Sequence, residues 1–72
     1  MMDGMRDVAI ADDMIRLGQF LKLADLVDSG SETKLRIAAG DVTVNGEVDL
    51  RRGRQLHRGD IVALDGQRVR VT

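Results

Sequence analysis

The sequence predicts an α+β domain in which two short helices gather on one side of a small, mostly antiparallel sheet. Three observations carry that class. Ser29-Gly30-Ser31-Glu32 has the spacing of a capping box, so a helix opens there, and Gly40 closes it. Asn45-Gly46 supplies the two positive φ angles of a type I′ hairpin turn, and Asp65-Gly66 repeats the signal further on. Around these turns, Val42 to Val44, Glu47 to Leu50, Ile61 to Leu64 and Gln67 to Val71 read as short strands.

Taken in order, residues 1–12 hold scattered acids and methionines with no hydrophobic period, and read as a flexible acidic leader to a domain spanning 13–72. The leader reads as having no specific role, with transient cover of a basic face as the competing idea. Met14-Ile15-Arg16-Leu17 alternates like a strand, with Arg16 on the side opposite Ile15 and Leu17, and Gly18 reads as its break. Phe20, Leu23, Ala24 and Val27 then fall at i, i+3, i+4 and i+7, the stripe of a short amphipathic helix from which Lys22 and Asp25 point away. In the second helix Thr33 and Ile37 belong inward, and the Ser29 hydroxyl at its start contributes about 0.5–2 kcal/mol. At about 100° per residue Lys34 and Arg36 lie roughly 200° apart, so the two cannot serve one flat surface. Arg36 reads as the solvated one, and spacing alone does not single out Lys34.

Seventy-two residues make one small domain, which buries about 60% of its unfolded surface. That leaves no room for both a core and an enclosed active-site cavity. There is no cysteine and only one histidine, so disulfides, thiolate sites and imidazole clusters are excluded. His57 lies beside a turn as a surface or loop residue, Ser29 and Ser31 belong to the helix start, and Asp41, Asp60 and Asp65 each adjoin a glycine turn. No nucleophile, acid–base pair or phosphate loop stands out, which points to a non-catalytic protein without cofactor or metal. No apolar run approaches the roughly 20 residues of a membrane span, and Met1 to Ile10 lacks the basic start and apolar core of a signal peptide. A soluble, cytoplasmic monomer is expected.

The formal net charge of −1 hides an asymmetry. Met1 to Asp13 sets Arg6 against Asp3, Asp7, Asp12 and Asp13, whereas Lys34 to Thr72 carries eight Lys and Arg against five acids. Arg51-Arg52-Gly53-Arg54 is the densest charge, and guanidinium forks suit phosphate oxygens. Lys22 and Lys34 extend this patch if their helix faces converge. Phe20 is the sole aromatic residue and belongs to an apolar stripe, so base stacking is largely unavailable. On composition alone an arginine-rich turn is equally an ordinary solubilising surface; if it meets nucleic acid, what remains is recognition of folded RNA through phosphates and 2′-hydroxyls. With about four or five phosphate contacts, log K falls with log salt at a slope of roughly −3 to −5.

Lys34, the helix end Ile37-Ala38-Ala39-Gly40, the strand and turn Val42-Thr43-Val44-Asn45-Gly46, and Gly59-Asp60-Ile61-Val62 together resemble the S4 family of RNA-binding domains. The likeness runs from about Ile15 to Leu64 and is greatest to small stand-alone members. It implies the S4-like (αL) fold, with RNA lying against the two helices and the adjoining basic loop. By position that means Lys22, Lys34, Arg51, Arg52 and Arg54, with ribosomal or transfer RNA, or a ribosomal or ribonucleoprotein complex, as partner. Many S4 domains carry a base immediately after the serine that opens the second helix and more in its first turn; Gly30 and Glu32 stand here instead, which removes cations from the expected face.

Two other classes compete. A protein-interaction or assembly module would use the apolar sheet edge or the Leu26-Val27 region and would show no salt-sensitive RNA binding. A ubiquitin-like sulfur carrier shares the Val-Asn-Gly hairpin and Gly-Asp strand, but needs a free Gly-Gly tail where this sequence reads Val71-Thr72.

Overall fold

The computed structural model describes residues 5–72. Strands β1 (Arg6–Val8), β3 (Thr43–Val44), β4 (Glu47–Val48), β6 (Ile61–Leu64) and β7 (Gln67–Val71) form a five-stranded sheet in the order β1-β7-β6-β3-β4. A separate ribbon pairs β2 (Ile15–Arg16) antiparallel with β5 (Gln55–Leu56). Helices α1 (Leu17–Leu23) and α2 (Gly30–Ala38) complete the α+β architecture. Every strand pair is antiparallel except β1 with β7.

The local signals act as their chemistry requires. Asn45 and Gly46 have φ of 53° and 87°, joining β3 to β4, and Asp65 and Gly66 have φ of 55° and 79°, joining β6 to β7. At the end of α2, Gly40 takes φ 80°; its N–H donates to Ile37 O and that of Asp41 to Arg36 O, the paired bonds of a Schellman stop. At the start of α2, Ser29 Oγ accepts the Glu32 N–H at 3.1 Å. The Glu32 carboxylate reaches one residue further back than a capping box requires, to the N–H of Asp28 at 2.9 Å.

One apolar cluster joins sheet, ribbon and helices. Val44, Val62, Leu64, Val69 and Val71 meet Leu17, Phe20, Leu21, Ala24, Val27, Ile37 and Leu56, all buried. On α1 the inward stripe is Leu17, Phe20, Leu21 and Ala24, while Leu23, expected inside, is 52% exposed. The helix is shorter than its apolar pattern, because Asp25 turns left-handed at φ 60° and the stripe finishes in a loop that still buries Val27.

The leader expectation needs correction over much of its length. Its first four positions lie outside the described residues, but Arg6 to Val8 is a strand in register with Val69 to Val71, and Ile10 belongs to the core. Polar contacts fasten it: Arg6 Nη2 donates to Ala24 O at the end of α1 (2.7 Å), Asp7 pairs with Arg70 (3.1 Å), and Thr72 N donates to Val8 O (2.9 Å). Arg58 binds the carbonyls of Ile10 and Thr72 and the carboxylate of Asp13. Asp7 and Asp13 therefore engage Arg70 and Arg58, not the cations of the expected RNA site. These contacts are long-range in sequence, so no local period announces them.

Gly18 is the second correction. It lies inside the first turn of α1, not at a break between strand and helix. Arg36 is the third: it is a staple, not a solvated cation, binding Asp41 at 2.8 Å, Asp65 in the β6–β7 turn, and Glu32 at 3.8 Å. Hydrogen bonds to Asp65 and Asp41 raise its pKa still further above the ordinary arginine value.

Because β1 is fastened through Arg6, Arg6→Ala should lower unfolding free energy by about 1–2 kcal/mol through the lost charge-assisted hydrogen bond, and Tm by about 5–10 °C. Thermal denaturation followed by circular dichroism tests this; an unchanged Tm would restore the loosely attached leader.

Candidate nucleic-acid interface

The arginine turn is built against the start of α1. That helix has no side-chain cap at Arg16, so its first N–H groups need other partners. Leu17 N donates to Arg54 O at 2.8 Å and Gly18 N to Arg52 O at 3.0 Å. The turn itself closes through Arg54 N to Arg51 O at 3.1 Å, with Arg52 and Gly53 at its corners. Arg16 Nη1 donates across to Gly53 O at 3.0 Å.

Glycine is required at position 18 by this docking. A Cβ there would stand 2.6 Å from Arg52 Cγ and 3.4 Å from Thr33 Cγ2. Its absence opens a groove of about 380 Å³ between the helices and the turn, lined by Arg16, Gly18, Gln19, Lys22, Gly30, Thr33, Arg52 and Gly53. Three cations and no carboxylate contribute to that lining. Lys34 is exposed one helical turn after Gly30 and so stands on the same side of α2.

Arg51 and Arg54 are placed differently. Both are drawn to Asp49, whose residue is only 6% exposed. Asp49 Oδ1 accepts from Arg51 N (2.9 Å) and Arg51 Nε (3.1 Å), and Oδ2 accepts from Arg51 Nη2 (2.9 Å) and Arg54 Nη1 (2.7 Å). Together with Gly53, Gln55, His57 and Asp60 these two arginines line a second depression, on whose rim Asp60 is another negative charge. The structure thus brings Lys22 and Arg52 into one groove, sets Lys34 on the same side of its helix as groove-lining Gly30, and ties Arg51 and Arg54 to a carboxylate.

Among the described residues, Lys22, Lys34 and Arg52 are the cations that no hydrogen bond or ion pair engages. Arg16 is the groove residue that sequence reasoning missed, because alternation put it on the outer side of a strand. The available signal was Gly18, a poor helix former held in a first turn where only a close neighbour explains it.

The apolar surface also differs from expectation. Val27 is core and Leu26 packs against it, so that region is not a free face. At the end of β4 and just after it, Val48 and Leu50 are 58% and 63% exposed while Asp49 between them is buried.

Hydrogen bonds from Arg51, then from Arg54, hold the Asp49 carboxyl well below the usual aspartate range. A carboxylate with a depressed folded pKa contributes stability that is complete above its unfolded pKa of about 3.9 and is lost as pH falls toward the folded value. In a carboxyl-detected NMR titration, Asp49 is expected to remain ionised through pH 3, and Arg51→Ala to move its midpoint upward. A midpoint near 3.9 in the unaltered chain would contradict the clamp.

The comparisons with known proteins agree with this architecture. Over 59 residues the chain is 49% identical to a Bacillus subtilis (strain 168) protein that carries the name Probable ribosome maturation protein RlbA, covering 82% of this chain and 83% of that one. Among solved structures it is similar to the 30S ribosomal protein S4e from Thermoplasma acidophilum, with TM-score 0.64 and 22% identity. That likeness covers 83% of this chain but only 32% of the S4e chain, and it is one of fold. A family model described as S4 domain matches residues 8–72, and the chain belongs to that family.

Proposed function

We propose that this S4 domain binds structured RNA without catalysis, through the groove between α1, α2 and the arginine turn. The observation that carries the reading is the set of uncompensated cations: Lys22 and Arg52 with Arg16 in a groove without carboxylates, and Lys34 on the same side of α2 as groove-lining Gly30. A phosphate backbone needs positive charge that internal acids do not already neutralise. Arg51 and Arg54 belong to the site as well, as the residues that frame the turn.

Mode follows from composition and burial. Phe20, the sole aromatic residue, is fully buried, so no ring is available on which to stack bases. Contacts to phosphates and 2′-hydroxyls, which read the shape of a folded RNA, are what the groove offers. The name of the Bacillus subtilis relative supports ribosomal RNA over transfer RNA, and a ribosomal or ribonucleoprotein particle as the setting. Among the described residues no helix is long and apolar enough to cross a membrane.

Four cations, Arg16, Lys22, Lys34 and Arg52, correspond to a slope of log K against log salt of about −3 to −4. Each single Ala substitution among them should reduce that slope by about 1. Arg16, Lys22 and Arg52 changed together to Ala should bring the slope to about −1 and remove most retention of ribosomal RNA in a filter-binding titration, while leaving the melting curve cooperative. Binding undiminished in this variant would refute the groove as the interface.

A further inference from the structure

We infer that Asp49 is a positioning residue for RNA binding: by holding the arginines at both ends of the Arg51–Arg54 turn, it fixes Arg52 over Gly18 in the groove. The inference rests on the RNA-binding reading above and assigns a role to the one acid embedded in the basic loop.

Three observations converge on it. First, the local burial runs against polarity, with Val48 and Leu50 turned outward at 58% and 63% exposure and Asp49 at 6%. Burying a carboxylate while exposing two apolar neighbours is unfavourable unless the acid gains strong partners. Second, those partners are the two end residues of a single β-turn. Arg51 offers its backbone N–H and a two-pronged guanidinium contact, and Arg54 offers Nη1 at 2.7 Å, so both Asp49 oxygens are occupied. Third, Arg52 sits between these two, makes no ion pair, and accepts the Gly18 N–H on its carbonyl at 3.0 Å while its Cγ lies 2.6 Å from where a Cβ of residue 18 would stand. Asp49 and Arg52 have no hydrogen bond to each other, so any coupling between them passes through the turn.

Electrostatics and positioning make opposite forecasts. Removing a negative charge beside a polyanion site strengthens binding if Asp49 is only a counter-charge. If it orders the turn, its loss weakens binding, because Arg52 must then be immobilised when RNA arrives.

The test is a double-mutant cycle with a ribosomal-RNA hairpin as probe, using the full chain, Asp49→Asn, Arg52→Ala and the combination. Expected results are about tenfold weaker binding for Asp49→Asn, about tenfold for Arg52→Ala, and less than twofold further loss when Arg52→Ala is added to Asp49→Asn. Amide hydrogen exchange of Gly18 should also accelerate in Asp49→Asn. Equal or tighter binding by Asp49→Asn, or the same cost of Arg52→Ala in both backgrounds, overturns the proposal. Should Asp49→Asn not fold, Arg51→Lys with Arg54→Lys keeps both charges but loses the fork geometry, and must show the same loss. If the unaltered chain does not bind the hairpin, the RNA reading fails by itself; unchanged Gly18 exchange in Asp49→Asn or in the lysine pair overturns the positioning role separately.

Discussion

Two N–H groups at the start of α1 have no partner within the helix and no side chain to cap them, and carbonyls from the far side of the chain accept them. This closure joins Leu17 and Gly18 to Arg54 and Arg52, alongside the ribbon that pairs Ile15 with Leu56 and Arg16 with Gln55. A helix of seven residues is marginal in water, so α1 depends on these bonds and on the burial of Leu17, Phe20 and Leu21. The dependence is mutual. Without α1 the arginine turn has nothing to lean on, and the groove has no wall.

Charge is organised by the same logic. The chain has one more acid than base, and most of its arginines are engaged in holding the fold. Arg36 joins α2 to two turns, Arg58 gathers Ile10, Asp13 and Thr72, and Arg70 holds Asp7. Net charge is therefore a poor guide to what a polyanion would meet. A modest number of unopposed cations near one groove can outweigh a larger number of opposing charges paired elsewhere, since paired charges cancel within a Debye length of about 8 Å in physiological salt.

Much of the fold was legible because it rests on chemistry within a few residues. Gly40, Asn45-Gly46, Asp65-Gly66 and the Ser29 cap each do locally what their residue types favour. The parts that were not legible are tertiary. Arg6 to Val8 becomes a strand only because β7 offers an edge, and Arg36 is paired only because Asp65 arrives from a distant turn. At the site, the basic loop and the two helices could be read, and Lys22, Lys34 and Arg52 carry uncompensated charge. The division between Arg52 and its neighbours could not be read, because three arginines in four residues look equivalent until Asp49 turns inward. Alternation over Glu47 to Leu50 does not say which face is covered, and strong hydrogen bonds draw Asp49 inward while Val48 and Leu50 stay exposed.

The bond from Thr72 N to Val8 O, at 2.9 Å, continues the parallel register of β1 on β7, which joins residues 63 positions apart along the chain. A strand added in parallel at such separation has to wait for the edge it docks on, and the loop closure it requires slows it. The sheet is therefore expected to grow outward from the β6–β7 hairpin, with β1 arriving after its neighbours are in place.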